Sequence, residues 1–196
     1  MANYDYEGYF SKQEKINYWK AKEIFDKKYL LPIVDSKKYT LNAGAGLFIE
    51  KDVLKLKKVV CVDISATAVK TLKQQGINAV QANLLEKWPF KSEEFEQILM
   101  LDIFEHIAWV KFYLSEAYRV AKKGAVIILG IPLLNYWKTY LKLLSMTTIG
   151  VQYEEHPRMF FDKDIKTLFQ EAGFKLAETK YIGISKGYGY YKFIKN

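Results

Sequence analysis

The residues best able to do chemistry in this chain fall at four places, each following a short apolar run. "LNAGAGLFIE" at 41–50 carries Gly44 and Gly46 in G-x-G spacing. A strand-turn-helix that opens this way brings the backbone close to a ligand, with amide groups free at the helix start. Asp63 ends the run "KVVCVD", seventeen residues after Gly46. A carboxylate there suits the two hydroxyls of a ribose, and it also reads as a helix-start acid ahead of Ser65. Asn83 follows the next run, where it can accept from an exocyclic amino group or hold a turn. "LDIFEHI" brings Asp102, Glu105 and His106 to one edge of the same cleft. The glycines alone do not define the ligand. A third glycine would fall at position 49 in the pyrophosphate-binding pattern G-x-G-x-x-G and at 48 in the related G-x-G-x-G pattern, and those positions hold Ile49 and Phe48.

These residues need a frame. Apolar runs at 39–43, 58–62, 77–80, 97–101 and 125–131 are rich in Val, Ile and Leu without alternation. That composition suits parallel strands buried on both faces. Between them "SATAVKTLKQQG" has Ser65 as N-cap and Gly76 as stop. "AWVKFYLSEAYRVAKKG" puts Val110, Leu114, Ala117 and Ala121 on one helix face and is expected to end at Lys122, Lys123 and Gly124. "DKDIKTLFQEAGF" has Asp162 as its expected cap, Ile165, Leu168 and Phe169 as its inner face, and Gly173 as its stop. The tail reads as two strands joined by a glycine-containing loop, hence an antiparallel pair. The fold expected is α/β: a doubly wound, mostly parallel, seven-stranded Rossmann-like sheet with a C-terminal antiparallel hairpin. Ligands of such sheets bind beyond the C-terminal strand ends, where the residues named above fall.

The 196 residues read as a single domain spanning 1–196. Within it, 1–35 forms an aromatic-rich helical N-terminal cap and 133–160 a substrate-side insertion. The net charge of +8 comes almost wholly from scattered lysine, since only Arg119 and Arg158 are arginine. Planar phosphate recognition and guanine reading favour arginine, so the charge argues against a nucleic-acid partner. Cys61 is the only cysteine, which excludes an intramolecular disulfide and a cysteine metal cluster; no metal site is expected. The N-terminus lacks the regions of a signal peptide. The longest apolar run, 125–134, is too short to span a membrane and contains Gly130 and Pro132. A cytoplasmic protein is expected, with its oligomeric state left open.

Five segments in order give a family resemblance over residues 36–180. "LNAGAG", "VDIS", "ANLLEKWPFKSEEFEQILMLDIFEHI", "AYRVAKKGAVIILGIP" and "EEHPRMFFDKDIKTLFQEAGF" resemble the successive motifs of class I S-adenosylmethionine-dependent methyltransferases. The likeness is to the small-molecule branch that includes the ubiquinone- and menaquinone-biosynthesis enzymes. It implies that Ala43, Gly44, Ala45 and Gly46 line S-adenosylmethionine (or its product, S-adenosylhomocysteine). Asp63 would hold the ribose, with Ile64 against the adenine. Asn83 would accept from the adenine amino group, the Leu84 amide would face the ring, and Leu101 would supply a carbonyl at the methionine end. Three positions depart from the family pattern: Asn42 replaces an acid, Phe48 a common glycine, and Ala125 the second glycine before the fifth strand.

A methyl carried on a sulfonium is already activated, so the expected work of the protein is in-line alignment of a small-molecule acceptor in a site with little water. His106 is a candidate base, and also reads as a helix-start histidine packed beneath the cofactor. Glu105 reads as a first-turn acid. His156 is a second candidate, on a segment that also reads as a plain loop. The acceptor pocket is expected from two aromatic stretches, with Tyr9 and Tyr18 in the first and Trp137 and Tyr140 in the second. The second also suits a lid, a membrane-surface helix or simple core packing. A cofactor-binding but inactive partner protein and an RNA methyltransferase are the alternative functions.

Overall fold

A computed structural model describes residues 22–48, 50–134, 158–182 and 187–196. Its centre is a seven-stranded sheet: β1 (Tyr39–Ala43), β2 (Lys58–Asp63), β3 (Asn78–Gln81), β4 (Phe95–Leu101), β5 (Ala121–Pro132), β6 (Phe174–Ile182) and β7 (Tyr188–Lys195). The order across the sheet is β3-β2-β1-β4-β5-β7-β6. The first five strands are parallel, and β7 runs antiparallel between β5 and β6. The expected doubly wound sheet and its antiparallel hairpin are both present.

The continuous apolar runs form strands because both faces are covered. Leu41, Ala43, Val60, Val62, Ile98 and Met100 face one core layer, beneath α3 (Val110–Val120) and α4 (Asp162–Glu171). Cys61, Leu99, Leu101 and Ile128 face the other, beneath α1 (Lys51–Leu54), α2 (Ala66–Gln74) and residues 22–33. Ser65 caps α2 as its sequence predicts, accepting the Ala68 amide at 3.2 Å. The apolar face of α3 is also as expected, with Val110, Leu114 and Ala117 buried.

Two helix ends differ from the sequence reading. The helix α3 stops at Val120, not at Gly124, because Ala121 leaves helical geometry and pairs with Phe95 as the first residue of β5. The Lys195 ammonium donates to the Ala121 carbonyl at 2.8 Å and holds that exit. At α4 the N-cap is Phe161, whose amide donates to the Asp164 carboxylate at 3.0 Å. Asp162 serves elsewhere, accepting from the Tyr181 and Tyr191 hydroxyls at 2.6 and 2.8 Å and so tying α4 to the hairpin. Arg119 is also structural: it donates to Glu116 and to the carbonyls of Phe90 and Trp88, pinning the segment before β4 to α3.

Candidate functional site at the strand ends

Parallel pairing aligns Ala43 with Val62, so the residues after β1 and β2 emerge side by side. Gly44 and Gly46 take φ of 76° and 50°, a left-handed conformation that side chains oppose. The turn is closed from within. The Gly44 and Ala45 amides donate to the Val62 carbonyl at 2.9 and 3.0 Å, and the Gly46 amide donates to Asp63 Oδ2 at 2.8 Å. Asp63 Oδ1 accepts the Ser65 amide at 2.8 Å. This corrects the expectation of free amides at a helix start. They are committed inside the protein, and the helix that follows, α1, is only four residues long. A phosphate cradle built from those amides is therefore absent here.

The turn exposes backbone surface rather than free donors. Among the described residues a side-chain carbon added at Gly46 would meet nothing within 4 Å, whereas one at Gly44 would lie 2.4 Å from Ile103 Cγ1. The turn after β4 thus packs directly on the turn after β1. Asp63, 9% exposed, uses two of roughly four carboxylate acceptor positions on the amides, which leaves capacity for a pair of hydroxyls. Beside it Ile64 is half exposed, an apolar platform at the end of β2. Asn83 is an Asx turn: its Oδ1 accepts the Leu85 amide at 3.0 Å and its amide group donates to Glu86 at 3.1 Å. Leu84 is buried and its carbonyl accepts from Trp88 Nε1. Leu101 ends β4 and is buried.

Phe48 also has a positive φ, 47°, yet it is 2% exposed and packs with Leu30, Ile33, Val53 and Leu54. The ring that replaces the family glycine therefore turns into the core, away from the open side of the turn. Asn42 is buried on the same face and sits opposite Cys61 in the β1–β2 register; burial pushes the Cys61 thiol up to about 12.

After β4, Asp102 adopts φ 51° and its carboxylate accepts from the Tyr188 hydroxyl at 2.7 Å. Glu105 is 1% exposed; burial first, and Asp102 next to it second, push its carboxyl up to about 8. His106, by contrast, is exposed. His156, Tyr9, Tyr18, Trp137 and Tyr140 lie outside the described residues.

One group was not legible in the sequence. The Lys22 ammonium, 6% exposed, donates to Glu50 at 2.6 Å and to Asp26 at 3.3 Å, and pairs with Asp102 at 3.6 Å. Tyr190 donates its hydroxyl to Asp26. Burial disfavours the ammonium, but the surrounding carboxylates outweigh it and raise the Lys22 pKa. Its sequence context, a lysine among thirty basic residues, offers no signal that it is buried.

Among the described residues no group of three or more His, Cys, Asp or Glu is placed to hold a metal ion, and no helix is long and apolar enough to cross a membrane.

Residues 41–129, which carry all four strand ends, match a family described as a methyltransferase domain. An uncharacterized protein of Methanocaldococcus jannaschii is 35% identical over 91 residues, covering 46% of this chain and 42% of that protein. The chain thus spans less than half the length of that relative. A methyltransferase of Thermotoga maritima dependent on S-adenosylmethionine superimposes with a TM-score of 0.73 at 18% identity, over 93% of this chain and 96% of that one. A Haloferax volcanii complex of the Trm112 methyltransferase activator with a methyltransferase matches with a TM-score of 0.75 at 12% identity, over 97% of each chain. Residues 41–129 thus match a methyltransferase-domain family in sequence, and the fold is shared with S-adenosylmethionine-dependent methyltransferases. Its strand ends fit that cofactor: hydroxyl acceptors and an apolar platform are present, and no phosphate cradle is needed.

Proposed function

We propose that the protein transfers the methyl group of S-adenosylmethionine directly to a small-molecule acceptor in the cytoplasm, like the quinone-biosynthesis branch it resembles. The observation that carries the cofactor half of this reading is the closed glycine turn. With the Gly44, Ala45 and Gly46 amides committed to Val62 and Asp63, the turn suits a ligand without phosphate better than a dinucleotide.

When bound, the cofactor supplies an activated methyl group, so the protein needs no covalent intermediate. In this reading Ala43, Gly44, Ala45 and Gly46 form the wall beside it, and Asp63 accepts the two ribose hydroxyls. Ile64 would lie against the adenine, Asn83 would accept from its amino group, and the Leu84 amide would face the ring. The Leu101 carbonyl orients the methionine end. His106, exposed at the strand-four edge, is the candidate base for an acceptor that must lose a proton, with His156 as a second. The acceptor side is proposed to come from the cap 1–35 and the insertion 133–160, whose Tyr9, Tyr18, Trp137 and Tyr140 lie outside the described residues.

A small acceptor is favoured over RNA by the arginines. Arg119 is spent on Glu116 and two backbone carbonyls, which leaves Arg158 as the single arginine for a phosphate surface. Calorimetry with S-adenosylhomocysteine and with NAD tests the cofactor. Incubation with labelled S-adenosylmethionine plus metabolite extract, and separately RNA, tests the acceptor. Label entering the small-molecule fraction supports the proposal. Label in RNA, or binding without turnover in either, replaces it with one of the two alternatives.

A further inference from the structure

We infer that Lys22 is a positioning residue for the cofactor cleft, joining the two turns that form its floor. The inference rests on the cofactor reading above for its meaning, but its geometry stands apart from it. Glu50 lies just past the glycine turn at the start of α1, and Asp102 is the first residue after β4. Lys22 reaches both, at 2.6 and 3.6 Å, from a helical segment that neither turn belongs to. No other described cation is paired with either carboxylate.

The two turns are already in contact through Ile103 on Gly44. That contact is apolar and sets how closely the turns approach, not how Asp102 is oriented. Asp102 sits in a left-handed conformation that a non-glycine residue holds only when its surroundings enforce it. Its amide donates to the Gly130 carbonyl at 3.0 Å, its Oδ1 accepts from Tyr188 and its Oδ2 faces Lys22. Gly130 makes room for this: a side-chain carbon there would lie 2.7 Å from the Tyr188 hydroxyl. Backbone, hydroxyl and ammonium together over-determine the turn that carries Leu101 and Ile103.

Lys22 is also the charge that lets the group exist. Asp26, Glu50 and Asp102 converge on one ammonium. Without it two buried carboxylates, Asp26 and Glu50, would face each other and the part-exposed Asp102 uncompensated, which favours protonation or separation. Separation would move α1 and the turn after β4 apart, and the cleft lies between them. Docking of the segment Lys22–Leu30 is thereby coupled to the shape of the cofactor site.

The test uses the full chain with Lys22→Met, Lys22→Arg and Tyr188→Phe. Lys27→Met is the control, since Lys27 pairs with Glu23 at 2.7 Å on the exposed side of the same segment. Two readouts are taken: S-adenosylhomocysteine affinity by calorimetry, and amide hydrogen exchange at residues 44–46 and 102. Lys22→Met should weaken affinity about tenfold or more and speed exchange at those amides, because both turns lose their shared anchor. Tyr188→Phe should weaken it by roughly threefold to tenfold, as loss of one hydrogen bond to a charged group. Lys22→Arg should restore most of the affinity, and Lys27→Met should change neither readout. Unaltered exchange and affinity in a folded Lys22→Met overturns the inference. If that variant does not fold, wild-type exchange and affinity in Tyr188→Phe overturn it instead. A wild-type protein that binds no S-adenosylhomocysteine overturns the cofactor reading alone, and the exchange result still decides the role of Lys22.

Discussion

The Asp63 carboxylate accepts the Gly46 amide at 2.8 Å, so the acid that ends β2 closes the turn after β1. With its other oxygen it accepts the Ser65 amide at the start of α2. One side chain therefore fixes two turns and still faces the space between them. A purely structural acid and a purely ligand-binding acid would each respond differently to removal.

Asp63→Ala should lower both cofactor affinity and the stability of the free protein. Loss of charge-assisted hydrogen bonds to two hydroxyls should cost about 1.5–3 kcal/mol, or roughly 10–150-fold in affinity. Each amide left without its acceptor adds about 1–3 kcal/mol of destabilisation if it stays out of water. The affinity loss should exceed that of Asp102→Ala. Calorimetry and thermal melts measure the two effects; equal affinity losses at Asp63 and Asp102 would mean that the ribose is held elsewhere.

Phe48→Gly should leave affinity unchanged and reduce stability. Emptying a buried phenyl site costs about 3–5 kcal/mol. Relief of the left-handed backbone at φ 47° returns about 1–2 kcal/mol, so packing wins. A melting temperature lowered by several degrees, with an unaltered dissociation constant, is the expected pair of results. Sharply tighter binding would place the ring in the cleft.

The frame of the site was legible in the sequence because it depends on local patterns. Unbroken Val, Ile and Leu runs mark strands buried on both faces, and parallel pairing then brings Gly46 and Asp63 together whatever lies between them. Ser65 and Gly76 bound α2 for reasons contained in their own side chains. What could not be read depends on distant partners. The amides of the glycine turn are consumed by Val62 and Asp63, which no spacing rule reveals. Lys22, Asp26, Glu50, Tyr188 and Tyr190 come from both ends and the middle of the chain, and each alone resembles an ordinary surface or strand residue; the sequence puts Asp102 at the cleft edge, but not its partners. Asp162 fits the pattern of a cap, but tertiary contacts with Tyr181 and Tyr191 give it another task and leave the cap amide to Asp164.

Glu105 should make the protein less stable as pH rises. Its folded carboxyl titrates at about 8, against the ordinary value near 4.5 in the unfolded chain. The folded state therefore holds the extra proton between those values, and stability falls across that window as the unfolded state loses its proton first. Each pH unit inside the window costs up to about 1.4 kcal/mol. Glu105→Gln, which cannot ionise, should flatten the stability profile between about pH 5 and 8. Its gain over wild type should be greatest at the alkaline end. Denaturant melts at successive pH values measure this, and a parallel profile in the variant would show that another group carries the dependence.

Gly44→Ala and Gly46→Ala should fail in different ways, and the contrast tests where the cleft lies. At Gly44 the new carbon would lie 2.4 Å from Ile103 Cγ1 and 2.9 Å from Ile103 Cβ. Rotation of the side chain can move the first atom but not the second, because Cβ is fixed to the backbone, and a β-branched residue has few rotamers to offer. The turn after β4 must therefore shift, taking Leu101 and Asp102 with it. Stability should drop by about 2–4 kcal/mol, the left-handed cost plus overpacking, and affinity should fall with it. At Gly46 a side-chain carbon meets no atom of the described residues within 4 Å, so the expected stability loss is the backbone term alone, about 1–2 kcal/mol. The open space there is where the cofactor wall is proposed to be. Gly46→Ala should consequently lose affinity by more than its small stability change explains, while remaining folded at room temperature. Wild-type affinity in a folded Gly46→Ala would mean that the ligand does not lie against this turn.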